Sequence, residues 1–197
     1  MPPARVRRYA EPVPVSEALA AALLQRMRRL NRAERGVLLG AAVIGRRFRF
    51  AVLTATTALV EERVREALDK VCALQLVVRE SSNGDWYAFR HALIRDVAYE
   101  EFVATRVRPI HRRIARALER CTGAEEISLD DLAYHSWLAR DAVRGRRYNE
   151  MAGDRAIAVF ADAEARVYYA RAREFATPGS EEYRRLSSKL VNRNEES

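Results

Sequence analysis

Apolar residues recur along most of this chain every three or four positions, and each run is bounded by a cap or turn signal. After Ser16, which suits an N-cap, Leu19, Leu23, Leu24, Met27 and Leu30 make one apolar stripe with arginines opposite. Asn31 and Glu34 have the spacing of a capping box, Val37, Leu38, Ala41, Ala42 and Ile44 follow at helical spacing, and Gly45 is placed to end that helix. Beyond a basic turn at Arg46-Arg47, Phe48 and Phe50 lead to a short helix near residues 51–59. Glu61 and Glu62 suit the first turn of the next helix, with a buried stripe expected at Val64, Leu68, Val71, Cys72 and Leu76. The period then shortens. Residues 77–80 and 86–90 read as strands, and Asn83-Gly84 between them is a hairpin signal.

From His91 the helical period returns, with Leu93, Ile94, Val97, Ala98 and Phe102 on one side, so a strand runs directly into a helix. Pro109 suits a first turn; Ile110, Ile114, Ala117, Leu118 and Cys121 line the helix it opens, and Thr122-Gly123 ends it. Residues 128–142, 147–160 and 162–176 read as further amphipathic helices. Pro178-Gly179 breaks the chain before a last helix, and 192–197 is a polar tail. Residues 1–15, with four prolines among arginines, read as a flexible leader. Three helices followed by a hairpin is the order of a winged helix, and tight-turned helices behind it suggest helix-pair repeats. The expected fold is therefore mainly α: a winged-helix domain with one β-hairpin over 16–105, then antiparallel helical repeats over 106–197.

Composition narrows the setting. With 197 residues, 49% of them hydrophobic, the chain can bury a core as one or two small domains. A net charge of +8 raises nucleic acid or an acidic protein surface as partners, although arginines on amphipathic segments also serve as a solvated face. Cys72 and Cys121 fall within apolar patterns and read as small core residues in a reducing compartment. No apolar run reaches the roughly 18 residues of a membrane span, and no signal-peptide segment follows Arg5, Arg7 and Arg8, so a cytoplasmic protein without membrane contact is expected.

Candidate chemistry centres on the strand-to-helix junction. His91 falls at a helix N-terminus, where unpaired N–H groups and the dipole favour an anion; Arg95 shares its face and Arg90 is adjacent, so the junction is suited to phosphate. The plain alternatives are a capping or wing-packed His91 and an ion pair of Arg95 with Asp96 or Glu100. The stretch Phe89-Arg-His-Ala-Leu-Ile-Arg-Asp-Val-Ala-Tyr99 resembles the winged-helix segment of STAND-class signalling ATPases. It is most similar to the bacterial branch, with its cyclase-linked ATPase modules and large transcription regulators carrying helical repeats. The resemblance runs from about Leu30 to Tyr169. It implies a phosphate-sensing role for His91, since the matching His of a Met-His-Asp motif contacts the β-phosphate of ADP in related switch proteins. Ala92 stands where those relatives carry Asp, so only the His role transfers. The resemblance also implies an ATPase domain as partner, in cis or in trans, and an inducer or protein partner received by the repeats. From Arg146 the chain partly resembles a tetratricopeptide repeat (TPR). Ala152-Gly153, Ala165, Tyr169 and Ala172 match its pattern, whereas Ala156 replaces a Tyr and Pro178 lies one residue late.

Other chemistry finds little support. No Gly-x-x-x-x-Gly-Lys-Ser/Thr loop occurs, so ADP or ATP is implied only for the parent architecture and no cofactor is expected for this chain. Leu129-Asp130-Asp131 reads as a helix cap. The three histidines lie in different elements, without metal spacing, and no nucleophile with a positioned base stands out. The expected function is a non-catalytic regulatory or protein-interaction module. The alternative is a DNA-binding winged-helix regulator. Against it, the helix before the hairpin carries Glu61, Glu62, Glu66 and Asp69 opposite Arg63, Arg65 and Lys70, a surface that argues against sequence-specific DNA binding. Tyr134, Trp137, Tyr168 and Tyr169 suit either a peptide groove or helix packing, and packing is the simpler expectation.

Overall fold

A computed structural model describes residues 17–80, 86–103, 107–120 and 128–191. The chain is mainly helical, with one small antiparallel sheet, and its contacts divide it into two units, residues 10–117 and 118–197. The expected leader, the expected Ser16 cap, the turn expected at 81–85, Cys121, Thr122-Gly123 and the expected polar tail lie outside the described residues. No described helix is long and apolar enough to cross a membrane.

The first unit opens with α1 (Glu17–Arg28), which buries Leu23 and Met27. In α2 (Arg32–Ile44) the expected capping box is complete: Asn31 Oδ1 accepts from the Glu34 N–H, and a Glu34 carboxylate oxygen accepts from the Asn31 N–H. Gly45 ends α2 at φ 148°, a backbone region closed to side chains bearing Cβ. The basic turn expected at Arg46-Arg47 is confined to a bend at Arg46, and Arg47 already starts a strand, β1 (Arg47–Arg49). Three residues are too few to show alternation in the sequence, and only pairing with a distant strand gives them their form. Helices α3 (Phe50–Thr56) and α4 (Glu61–Ala73) follow, the latter burying Val64, Ala67, Leu68 and Val71.

Strands β2 (Val77–Arg79) and β3 (Trp86–Phe89) pair antiparallel as expected, but β3 is central, in the order β1-β3-β2. Tyr87 therefore faces Phe48 on one side and Arg79 on the other. The expected lone hairpin is thus corrected to a three-stranded sheet. Phe48, Tyr87 and Phe89 are fully buried beneath it, the Phe48 and Tyr87 rings stacked at 5.9 Å. From β3 the chain enters α5 (Ala92–Val103), which packs on α2. Helix α6 (Val107–Arg120) carries the chain into the second unit.

That unit consists of α7 (Leu129–Leu138), α8 (Ala142–Ala158), α9 (Asp162–Arg173) and α10 (Glu181–Val191), each packed on the next. Helix α8 begins five residues earlier than its apolar pattern suggests, because the Asp141 carboxylate accepts from the Arg144 N–H and caps it there. The turns into α8 and α9 share one device. Arg140 and Phe160 adopt left-handed φ of 50° and 58°, and the next N–H closes back on the Ser136 and Ala156 carbonyls. Gln75 does the same after α4, at φ 59°, with the Leu76 N–H bonded to the Val71 carbonyl. None of the three is glycine, so no sequence signal marked them.

Small residues set the closeness of α8 to its neighbours. A Cβ on Gly153 would lie 2.6 Å from the Tyr169 ring, and one on Gly145 would lie 2.5 Å from the ring of Phe175. Ala152, Ala156, Ala165 and Ala172 are also buried.

Candidate functional site

The strand-to-helix junction is built from backbone pairing on both sides of β3. The Phe89 N–H donates to the Arg46 carbonyl at 2.9 Å, and the Arg90 N–H to the Leu76 carbonyl at 3.1 Å. These bonds carry the chain to the sheet's end before it turns. The His91 carbonyl then accepts from the Ile94 N–H at 3.0 Å, which starts α5 directly after His91. Arg90, His91 and Ala92 are all exposed at this turn. Among the described residues, neither the Arg90 guanidinium nor the His91 imidazole has a hydrogen-bond or ion-pair partner.

Arg95 is placed differently. It is 8% exposed, its Nε donates to the Ala42 carbonyl at 2.9 Å, and Nη1 lies 3.0 Å from Asp96 Oδ1. Its guanidinium also sits 5.0 Å from the centre of the Tyr99 ring. Ala42 is in the last turn of α2, where carbonyls lack intrahelical partners and the dipole favours a cation. Arg95 therefore ties α5 to the end of α2. The structure brings Arg90 and His91 together at the surface and draws Arg95 into the core, so the three predicted residues do not form one cluster. The ion pair with Asp96 is the plainer of the two readings the sequence allowed.

Near Arg95 the sequence marked nothing else, yet His111 is 2% exposed there. Burial and then the Arg95 charge hold its imidazole down to about 4 from an ordinary 6.5, so it is neutral at pH 7. A histidine between Ile110 and two arginines in a basic stretch gives no sequence sign of being buried. Burial also raises the Tyr99 phenol, against the nearby Arg95 charge.

Elsewhere in this unit, other arginines also close helix ends: Arg35 donates to the Leu30 and Arg28 carbonyls after α1, and Arg113 reaches the Thr56 carbonyl of α3 at 3.5 Å. On α4, Arg63 pairs with Glu66 and Arg65 with Glu61, while Asp69 pairs with Arg79. Two of the three basic side chains of α4, Arg63 and Arg65, are thus paired with acids of the same helix. Arg47, bonded to Glu80, lies 4.2 Å over the Trp86 ring, with Arg49 at 5.7 Å.

In the second unit Trp137, Tyr168 and Tyr169 each bond to a carboxylate of a neighbouring segment, whereas Phe160 is 89% exposed. The Trp137 indole N–H donates to Glu174 at 3.0 Å with Arg171 over the ring. The Tyr168 hydroxyl donates to Asp130 at 2.7 Å, and the Tyr169 hydroxyl to Asp154 at 2.6 Å. Glu150 is held by Arg185 and Lys189 across α8 and α10, which lowers its carboxyl to about 2. Burial raises the half-buried Cys72 thiol, leaving it protonated and unreactive at neutral pH. No family model, curated protein or solved structure matches the chain.

Proposed function

We propose that this chain is a non-catalytic regulatory module of the STAND type, a winged helix that meets a nucleotide phosphate through His91 and Arg90, followed by TPR-like helices that receive a partner. The observation that carries the reading is the exposed Arg90-His91 pair at the start of α5, on the chain stretch that resembles the phosphate-sensing segment. Support for the winged-helix class comes from the order α2, β1, α3, α4, β2, β3 with β3 between the other two strands. Close approach of α8 and α9 at Gly153 and Tyr169 supports the repeat class, since those are the positions that match its pattern.

The roles divide accordingly. His91 and Arg90 donate to the phosphate, and Arg95 acts as a positioning residue that holds α5 against α2. Nucleotide exchange in the partner ATPase domain would change the contact with the junction, and the helical unit would pass on the presence of its own partner. The test supplies a STAND-type P-loop nucleotide domain to the full chain and measures ADP binding by calorimetry. A charge-assisted hydrogen bond is worth about 1.5–3 kcal/mol, so His91→Ala is expected to weaken ADP binding by roughly 10- to 100-fold. Equal ADP affinity in the parent and His91→Ala would reject the reading.

A further inference from the structure

The positive charge of the protein is not evenly spread. Residues 10–117 carry 19 Lys and Arg against 12 Asp and Glu, whereas residues 118–197 carry 13 against 15. Much of the excess falls on one helix of the first unit. Along α6, His111, Ile114, Ala115 and Ala117 are buried, while Arg108, Arg112, Arg113 and Arg116 are exposed. Arg108, Arg112 and Arg116 recur every four residues, a rise of about 6 Å per step, and make a ladder along one side. From Val107 to Ala117 there is no acidic residue.

We propose that this arginine ladder is a binding surface for the sugar-phosphate backbone of a nucleic acid, engaged without regard to base sequence. Guanidinium groups suit phosphate because their planar forks donate two parallel hydrogen bonds to its oxygens. Stepping along a helix, they can reach successive phosphates of one strand. The same ladder offers little to a protein partner. Protein interfaces draw their affinity from a desolvated apolar or aromatic centre, and none of the exposed large hydrophobic residues lies on α6. Backbone binding needs no such centre, since its driving force is counterion release. An inserted membrane helix is also disfavoured, because the apolar side of α6 is already buried. The α4 surface is not part of this ladder, since Glu61, Glu62, Glu66 and Asp69 stand there among Arg63, Arg65 and Lys70. It is independent of the nucleotide-sensing reading, which concerns Arg90 and His91.

The test is fluorescence anisotropy of the full chain with two duplexes of about 20 base pairs and unrelated sequence, between roughly 50 and 200 mM salt. Both duplexes are expected to bind alike, with a steep salt dependence. The triple variant Arg108→Gln/Arg112→Gln/Arg116→Gln should flatten the logarithmic salt slope by about 3 and weaken binding at the lowest salt by on the order of tenfold or more. The corresponding Arg→Lys triple variant should keep the slope, and Arg63→Gln/Arg65→Gln should bind as the parent does. Circular dichroism establishes that each variant is folded; if the glutamine triple variant is not, Arg112→Gln alone should flatten the slope by about 1. Absence of duplex binding at the lowest salt, or a folded glutamine variant that binds like the parent, would overturn the proposal. So would a poly-glutamate peptide or phosphatidylserine vesicles binding as tightly as the duplexes through the same arginines, which would assign the ladder to an acidic protein or a lipid surface.

Discussion

One substitution made at two places tests how the second unit is packed. Gly36 lies in α2, exposed, with nothing within 4 Å of the place an added methyl would take. Gly36→Ala should therefore show only the gain in helix propensity, a stabilisation of about 0.5–1 kcal/mol. Gly153 in α8 offers the same propensity gain, but its new Cβ would sit 2.6, 2.8 and 3.0 Å from three carbons of the Tyr169 ring. Carbon atoms prefer about 3.5–4.0 Å, so the ring would have to shift by roughly 1 Å. It has little freedom to do so: Tyr169 is 4% exposed and its hydroxyl is bonded to Asp154. Overpacking of this kind costs about 1–3 kcal/mol, and after the propensity offset Gly153→Ala should lose about 1–2 kcal/mol. Urea unfolding of the full chain followed by circular dichroism reads both signs. Tyr169→Leu, alone and combined with Gly153→Ala, completes a double-mutant cycle: with the ring gone, adding Gly153→Ala should cost about 1 kcal/mol less than it does in the parent. A Gly153→Ala protein as stable as the parent, or additive behaviour in the cycle, would refute the close approach of α8 to α9.

Other expectations follow from the buried and paired charges. His111 has a folded pKa of about 4 against 6.5 unfolded, so the unfolded chain takes the proton first as pH falls. Its share of stability is present above pH 6.5 and should drop by about 2 kcal/mol between about pH 7 and 5; His111→Leu should flatten that part of a pH–stability profile. Glu150 acts in a lower window: its carboxyl is depressed to about 2, so its contribution is present above 4.5 and lost as pH falls toward 2. Glu150→Gln should cost about 1–2 kcal/mol at neutral pH, with the difference gone near pH 2 in acid unfolding curves. Arg95→Leu should destabilise by about 1–3 kcal/mol in a thermal melt, because the Ala42 carbonyl loses its donor. Gln75→Gly should raise stability by up to about 1 kcal/mol in the same assay, since glycine takes φ of 59° without strain.

Local signals in the chain were enough to place its helices and the hairpin strands. Asn31 with Glu34, Gly45 and the apolar stripes of α2 and α4 act within one turn of where they stand, so neighbours in sequence determine what they do. They also put His91 at the start of a helix, with Arg90 beside it. Tertiary structure decided what depends on distant partners. β1 exists because Phe48 and its neighbours meet β3, far along the chain at Trp86–Phe89, a pairing that three residues cannot announce. Arg90 and Arg95 look equivalent in the sequence, but only Arg95 finds a helix-end carbonyl, at Ala42, and is drawn into the core. His111 is hidden and neutral because packing encloses it, and the arginines next to it on α6 stay outside. Which charged side chain is buried depends on whether the opposing element supplies a partner for it, and that partner is fixed in space, not in sequence.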